Sequence, residues 1–105
     1  MLTNEDMIAI AAECDRELAG VCIASLLNFS GNTRMKTICV DQLVVAKPYR
    51  RQGVCHLLLS EMEKRAKRLG AQRLDLIVWS FNQEAIAVYE KCGMLPQRII
   101  YEKAL

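Results

Sequence analysis

Apolar residues recur along the chain with two different periods, and the change between them predicts the order of strands and helices. Residues 7–12 are apolar and rich in alanine, so a strand and a helix are both compatible with them. A turn-like pair, Asp15 and Arg16, separates them from a second apolar run at residues 21–27, and this spacing favours a β-hairpin. Residues 37–45 are β-branched and almost continuously apolar, which is typical of a central strand covered on both faces.

The second half of the chain shows the longer, helical period. Residues 51–69 predict a helix with one apolar stripe and a charged face opposite it. Residues 73–79 alternate like a strand, and a second helix is expected over residues 82–92. Because Pro96 excludes further helix, the last element is expected to be a strand at about residues 98–103. The stripe of the first helix consists of Val54, Leu57, Leu58, Met62, Ala66 and Leu69.

The predicted order of elements, β-β-β-α-β-α-β, indicates an α/β or α+β fold with a mixed, largely antiparallel sheet. Its middle β-α-β unit is expected to be a right-handed parallel crossover. The one Gly/Asn/Ser-rich stretch, residues 28–33, has the size of a hairpin loop, and the sequence has no repeats or linkers. We therefore expect residues 1–105 to form a single domain.

Composition narrows the class of protein. With 105 residues, 52% hydrophobic and 25% charged, the chain suits one compact core and is too apolar for disorder. No apolar run approaches the roughly 20 residues that span a bilayer, and residues 1–6 are too polar to begin a signal peptide. Five cysteines without a CxxC pair argue against a disulfide framework and a zinc site. We therefore expect a cytoplasmic protein without a metal.

The net charge of +2 conceals an uneven distribution. Residues 1–33 carry one basic and five acidic groups, whereas residues 34–105 carry thirteen basic and seven acidic groups. The basic part could attract a polyanion such as a nucleic acid. A solvated helix face is the alternative, because few aromatic residues are available for stacking on bases. The basic cluster in question consists of Lys64, Arg65, Lys67, Arg68 and Arg73.

The sharpest local feature is LVVAKPYRRQGVC at residues 43–55, where an apolar strand passes through a basic turn into a helix. Free backbone N–H groups and the helix dipole favour phosphate at such a helix start. Lys47, Arg50 and Arg51 would supply the counter-charge, and Gly53 would let an anion approach the backbone closely. The alternative is a solvated basic turn before an ordinary helix, because neither a P-loop nor a dinucleotide fingerprint is present.

Two motifs, in this order, resemble the signatures of the GNAT superfamily of N-acetyltransferases, and the resemblance runs from about residue 7 to residue 105. The acetyl-CoA loop of that family, Arg/Gln-x-x-Gly-x-Gly/Ala after a central strand, is similar to RRQGVC at residues 50–55. Its second signature, Asn-x-x-Ala-x-x-x-Tyr-x-x-x-Gly-Phe, is similar to residues 82–94, with Met94 in place of Phe. The resemblance implies an acetyltransferase fold and acetyl-CoA as co-substrate.

The resemblance also implies a role for individual residues. Asn82 would bond to the pantetheine or its neighbourhood, and Tyr89 would protonate the departing CoA thiolate, which a phenol of pKa near 10 is able to do. A core aromatic on the apolar stripe of its helix is the alternative role of Tyr89. Backbone groups that would hold the pantetheine arm and the thioester carbonyl belong to Leu43, Val44 and Val45. The pyrophosphate would be held at Arg50, Arg51, Gln52, Gly53, Val54 and Cys55.

Attack by an amine requires a base, because an alkylamine of pKa near 10.4 arrives mostly protonated. Asp41, two residues before Leu43, stands where many GNAT relatives have a Glu or Asp that acts directly or through water. Its alternative role is a carboxylate paired with a nearby Lys or Arg. The implied reaction is direct transfer to the amine of a small molecule or peptide, with a backbone N–H near Val45 stabilising the oxyanion.

The sequence departs from the family pattern in two places. Cys55 replaces Gly or Ala, and its position at a helix N-terminus is expected to lower the pKa of its thiol. The family usually has a further strand and two helices before the segment that residues 7–27 resemble, and here there is no room for them. The first strand would then be an exposed sheet edge, so we expect a homodimer or another partner that covers it. A non-catalytic acyl-CoA-binding or regulatory module is the alternative function.

Overall fold

The structure, a computed structural model, describes residues 7–28 and 36–105. The predicted loop at residues 28–33 lies, from residue 29 on, outside the described residues. The elements are β1 (Met7–Cys14), β2 (Glu17–Asn28), β3 (Lys36–Val45), a 3-10 turn (Lys47–Tyr49), α1 (Val54–Arg68), β4 (Arg73–Leu76) and α2 (Gln83–Lys91). α1 lies against a four-stranded sheet, and α2 packs against the core through Tyr89, which confirms the predicted mixed fold.

The hairpin of β1 and β2 forms as predicted, so the strand interpretation of residues 7–12 is correct. Asp15 and Arg16 both adopt left-handed backbone angles, with φ of 51° and 68°. Two-residue hairpin turns require such angles, because they match the right-handed twist of the flanking strands. The antiparallel pairing runs from Cys14 opposite Glu17 to Met7 opposite Ser25.

β3 is the central strand of the order β1-β2-β3-β4, as the sequence predicts. It pairs antiparallel with β2 and parallel with β4, and α1 makes the crossover between the parallel strands. The buried core lies between the sheet and α1. Its members are Ile10, Cys22, Ala24, Ile38, Val40, Leu58, Leu59, Met62 and Ala66.

α1 begins three residues later than predicted, because Arg51 and Gly53 have left-handed φ angles of 64° and 82° that interrupt a helix. The buried stripe is also rotated relative to the prediction. Leu57 and Leu69 are 63% and 45% exposed, whereas Leu59, which the prediction omitted, is buried. Helical neighbours four residues apart share one face, and here the face that meets the sheet carries Leu58, Met62 and Ala66.

The last two predicted strands differ from the structure. β4 ends at Leu76 rather than at residue 79, because its pairing with β3 ends at Val40 opposite Leu76. The strand predicted at residues 98–103 is wrong, since these residues have no regular secondary structure and are exposed. A strand needs a neighbour for its backbone groups, and no described strand pairs with the outer edge of β4. Over residues 7–28 and 36–105, no helix has the length and apolar character required to cross a membrane.

Candidate functional site

The two halves of β3 have different neighbours. Residues 37–40 pair with β2 on one side and with Arg73–Leu76 on the other. Residues 42–45 pair with β2 alone, from Gln42 opposite Ile23 to Val45 opposite Gly20. Backbone N–H and C=O groups on the β4 side of this second half therefore have no strand partner among residues 7–28 and 36–105. Such an edge is able to bind an extended ligand through hydrogen bonds like those of a sheet.

A β-bulge places Asp41 where the two halves meet. Ala24 lies opposite Val40 and Ile23 lies opposite Gln42, so Asp41 is the extra residue of β3. Its carboxylate accepts a hydrogen bond from the Ser25 hydroxyl. Among the ion pairs of residues 7–28 and 36–105, none involves Asp41, so the alternative of a carboxylate paired with Lys or Arg finds no support.

The loop after β3 is held by the side chains of two residues that the sequence predicts at the co-substrate. The Arg50 Nε donates to the carbonyl oxygen of Val45 at 3.0 Å, and the Gln52 Nε2 donates to that of Pro48 at 3.0 Å. Both side chains therefore shape the loop. Each bond uses one donor only, because a guanidinium has five N–H groups and a side-chain amide has two.

Gly53 stands at the junction of this loop with α1, as its N-cap. A Cβ added to Gly53 would meet no atom within 4 Å, so the space beside it is open to a ligand. Leu57 donates its N–H to the Gly53 carbonyl at 3.0 Å, and this is the first bond of the helical pattern. The N–H groups of Val54, Cys55 and His56 therefore have no carbonyl partner one turn earlier and carry the positive end of the helix dipole.

Tyr89 lies half-buried on α2 and packs against the core. Burial raises the pKa of its phenol above the ordinary value, and the neighbouring thiols of Cys55, Cys22 and Cys92 raise it further. A raised pKa keeps the phenol protonated at neutral pH, which is the state that a proton donor requires. The structure thus places the first turn of α1, through Cys55, close to the tyrosine of the second motif.

The pKa of Cys55 differs from the prediction. Burial raises the pKa of this thiol, and the nearby Cys92 raises it further, whereas the helix N-terminus was expected to lower it. The side chain of Cys55 packs against the core, and desolvation disfavours a thiolate there more strongly than the helix dipole favours it. Its thiol is therefore not an activated nucleophile.

Asn82 stabilises the start of α2. Its Oδ1 accepts a hydrogen bond from the N–H of Ala85 at 3.2 Å, which makes it the N-cap of the helix. Next to it, the Arg51 guanidinium lies 3.9 Å from the Glu84 carboxylate, and both side chains are exposed. This contact contributes little energy, but it shows that the loop before α1 and the first turn of α2 are neighbours.

His56, the only histidine of the sequence, lies beside Cys92. Its Nδ1 lies 3.3 Å from the Cys92 Sγ. Both side chains line a cavity of about 560 Å³ between α1, β4 and residues 92–97. None of residues 41–55 lines this cavity, so it is separate from the open half of β3.

Gly20 is a position whose importance the sequence analysis missed. A Cβ added there would lie 2.8 Å from the carbonyl oxygen of Val44 and 3.1 and 3.2 Å from the side chains of Leu58 and Val54. Glycine therefore allows the open half of β3 and the start of α1 to approach β2 closely. The available signal was a glycine inside an apolar strand, which often marks such an approach.

The comparisons with known proteins agree with this arrangement. The sequence profile described as the Acetyltransferase (GNAT) family matches residues 2–94. The chain therefore belongs to the Acetyltransferase (GNAT) family, which confirms the resemblance seen in its two motifs.

Two curated relatives are N-acetyltransferases by name. The chain is 39% identical over 54 residues to L-ornithine N5-acetyltransferase NATA1 of Arabidopsis thaliana, which corresponds to 51% of this chain and 24% of that protein. It is 37% identical over 57 residues to the uncharacterized N-acetyltransferase YdgE of Bacillus subtilis (strain 168), or 54% of this chain and 36% of that protein. The matched segments thus span well under half the length of these relatives.

Solved structures show the same fold. A mutant of the BH1408 protein from Bacillus halodurans superimposes with a TM-score of 0.89 at 22% identity, covering 97% of this chain and 68% of that one. AAC(6')-Iy in complex with the bisubstrate analog CoA-S-monomethyl-acetylneamine superimposes with a TM-score of 0.83 at 16% identity, covering 96% and 71%.

Proposed function

We propose that the protein is an N-acetyltransferase that transfers an acetyl group from acetyl-CoA to a primary amine of a small molecule or peptide by direct attack. The observation that carries this proposal is the unpaired edge of β3 at residues 42–45, which leads into the open helix start at Gly53. The family and the names of the curated relatives support the same class of reaction.

The residues present fit acetyl-CoA, which supplies an acetyl group activated as a thioester. Leu43, Val44 and Val45 would bind the pantetheine arm through backbone groups that β4 leaves unpaired, the Val45 carbonyl excepted because it accepts from Arg50. The pyrophosphate would accept hydrogen bonds from the N–H groups of residues 51–55, next to the open space at Gly53. Arg51 would add its positive charge, and the Asn82 amide group would donate to the pantetheine while its oxygen caps α2.

Asp41 would act as the base, directly or through a water molecule. Ser25 donates a hydrogen bond to this carboxylate, which fixes its orientation. The amine nitrogen must give up a proton before it forms a bond to the acetyl carbon, and the position of Asp41 at the bulge, two residues before Leu43, supports this role. A backbone N–H near Val45 would stabilise the negative charge that develops on the acetyl oxygen.

Tyr89 would complete the transfer by giving its proton to the sulfur as the carbon–sulfur bond breaks. Burial and the neighbouring thiols raise the pKa of this phenol, which keeps it protonated but makes it a weaker acid towards the thiolate. The products are then the acetylated amine and the free CoA thiol. No covalent bond between the protein and the acetyl group is required.

The experiment that tests the function is release of the CoA thiol from acetyl-CoA by the purified chain. Ornithine is the first acceptor to try, because one curated relative is named for acetylating it, and other small amines and short peptides follow. We expect amine-dependent thiol release with a matching acetylated product in the mass spectrum. Binding of acetyl-CoA without transfer to any amine would favour the non-catalytic acyl-CoA-binding module instead.

The cytoplasmic location, the homodimer, the metal-free site and the single domain over residues 1–105 stay predictions. A nucleic-acid partner is less favoured, since Arg65 of the basic cluster already pairs with Glu61 at 3.4 Å on the outer face of α1. Such i,i+4 pairs are typical of a solvated helix surface.

A further inference from the structure

The loop between β3 and α1 is attached to the first residues of β2. The N–H of Ala46 donates to the carbonyl oxygen of Ala19 at 2.8 Å. Three residues further on, the Tyr49 hydroxyl donates to the Glu17 carboxylate at 2.7 Å. Glu17 begins β2 directly after the hairpin turn, 32 residues before Tyr49 in the chain. The loop is therefore joined to the sheet at two points, once through the backbone and once through side chains.

The bond between Tyr49 and Glu17 differs in reach from other side-chain bonds of the loop. The Arg50 and Gln52 side chains bond to carbonyl groups five and four residues earlier in the chain. Such local bonds define the shape of the loop, but they do not determine where the loop lies relative to the sheet. A contact with another strand does determine this, because it restricts the movement of the loop as a unit.

The acceptor of this bond is a charged group. Hydrogen bonds of this kind are shorter and stronger than those between neutral groups. The bond to Glu17 raises the pKa of the Tyr49 phenol above its ordinary value, which keeps the hydroxyl protonated as a donor. Because the bond lies at the surface, solvent screens it. We therefore expect it to favour one loop position a few-fold rather than to hold the fold together.

Backbone groups at the end of the loop depend on this position. Arg51 and Gly53 have left-handed φ angles just before α1, which fixes the path between Tyr49 and the helix. A pyrophosphate must accept hydrogen bonds from several N–H groups of residues 51–55 at once. Binding is tighter when such groups are already in place, because less conformational entropy is lost on binding. The attachment of Tyr49 to β2 should therefore favour pyrophosphate binding.

We propose that Glu17 and Tyr49 are positioning residues, whose hydrogen bond holds the loop before α1 in the place that binds the pyrophosphate of acetyl-CoA. The inference rests on the proposed function and adds to it a contribution of the hairpin of β1 and β2. Glu17 lies outside both sequence motifs, and neither side chain is assigned to a contact with the co-substrate. The hairpin thus controls co-substrate affinity without touching the co-substrate.

A double-mutant cycle, measured by isothermal titration calorimetry with acetyl-CoA, tests the pair. Tyr49→Phe and Glu17→Ala should each weaken binding roughly fivefold, a typical effect of one hydrogen bond. The double variant should also be weakened roughly fivefold, because either single change already breaks the bond. Unaltered affinity in either single variant would overturn the proposal. So would a roughly twenty-five-fold loss in the double variant, which would mean that the two residues act independently.

Two further variants separate positioning from other effects. Glu17→Gln keeps an acceptor oxygen for the Tyr49 hydroxyl and should bring affinity to within about twofold of that of the unaltered protein. Glu13→Ala removes an exposed glutamate from β1 and should leave affinity unaltered. In the thiol-release assay, Tyr49→Phe should raise KM for acetyl-CoA and leave kcat unchanged. An affinity loss in Glu13→Ala equal to that in Glu17→Ala, or a fall in kcat at constant KM, would contradict a positioning role.

Hydrogen exchange without ligand keeps this test separate from that of the proposed function. The Ala46 amide, which bonds to β2, and the Tyr49 amide, which bonds to the Ala46 carbonyl at 2.9 Å, should exchange several times faster in Glu17→Ala. The Met62 amide in the middle of α1 should exchange at its unaltered rate. Absence of amine-dependent thiol release would contradict the proposed function alone. Unaltered exchange at Ala46 and Tyr49 would overturn the positioning role, whether acetyl-CoA binds or not.

Discussion

The two halves of β3 have the same apolar, β-branched character, yet they differ in what surrounds them. In the first half, Thr37, Ile38 and Val40 are 0%, 0% and 7% exposed, and the backbone is paired on both sides. In the second half, Val44 is 52% exposed and the backbone is paired with β2 alone. Leu43 and Val45 of the second half also pack against the core, so the halves differ chiefly in the backbone groups that the second half leaves without a partner in β4.

The difference begins at Asp41. A β-bulge adds a residue to one strand, which bends that strand and increases its local twist. The pairing of β3 with β4 ends one residue before this bulge, at Val40 opposite Leu76. β3 and β4 therefore separate at Asp41, the proposed base. The proposed pantetheine site and the loop that leads to Gly53 follow Asp41 along the chain. Each of the following changes tests whether the open half has the role that its geometry indicates.

The largest effect is expected from Gly53→Glu. The substitution places bulk and negative charge in the open space beside the helix start, and like charges in such contact cost about 4 kcal/mol, nearly a thousandfold in affinity. Isothermal titration calorimetry with acetyl-CoA measures the loss. Gly70→Glu is the matched control, since Gly70 also has a left-handed φ of 79° and open space but lies at the other end of α1. Equal acetyl-CoA affinities for the two variants would contradict the assignment of the pyrophosphate site to Gly53.

Tyr89→Phe should lower turnover roughly a hundredfold, because it removes the proposed proton donor to the leaving thiolate. Acetyl-CoA affinity should be unchanged, since the ring and its packing remain. Tyr101→Phe is the control, because Tyr101 is 89% exposed and lies outside residues 41–55 and α2. Both variants are compared by thiol release at saturating substrates. Turnover of Tyr89→Phe equal to that of the unaltered protein would contradict the assignment.

Gly20→Ala should destabilise the protein by about 2 kcal/mol, the typical cost of an added methyl group in a packed site. The new Cβ would lie 2.8 Å from the Val44 carbonyl, so β2 must move away from the open half of β3. Urea unfolding measures the change. Unaltered stability would mean that the close approach of these strands is not required.

The smallest effect is expected for Cys22, which lies opposite Leu43 on the neighbouring strand β2. Burial first, and then Cys55, raises the pKa of its thiol from 9.0 to about 11. Because the folded state holds this proton more strongly, the stabilisation is complete below pH 9 and is lost as pH rises towards 11. Between pH 8 and 10 the unfolding free energy should fall by about 1 kcal/mol. Cys22→Ala should flatten this slope in pH-dependent urea unfolding, whereas the exposed Cys14→Ala should not.

The sequence predicts those elements of the fold that depend on neighbouring residues in the chain. The hairpin turn at Asp15 and Arg16, the central position of β3 and the end of α1 before Gly70 all follow from residue pattern. The strand at residues 98–103 does not form. The residue pattern gives this segment a preference for the extended conformation, but a strand also requires a neighbouring edge for its hydrogen bonds. The end of β4 at Leu76 likewise depends on where β3 bends, which no property of residues 77–79 reveals.

The motifs predict where the candidate site lies, but they do not predict which hydrogen bonds its side chains form. Loop, helix start and Tyr89 do come together around Cys55. The bonds of Arg50 to Val45 and of Gln52 to Pro48 depend on the path of the loop, so a motif cannot separate them from ligand contacts. The raised pKa of Cys55 depends on its burial against the core, which exceeds the local effect of the helix dipole.

The central claim is that the second half of β3 binds acetyl-CoA and the first half does not. The most direct test is an amide NMR titration of the chain with acetyl-CoA. The account predicts that the signals of Leu43, Val44, Val45 and residues 51–55 shift with ligand concentration, while those of Thr37, Ile38 and Val40 stay in place. Signals that stay in place throughout residues 42–55, or shifts confined to the cavity beside His56 and Cys92, would contradict it.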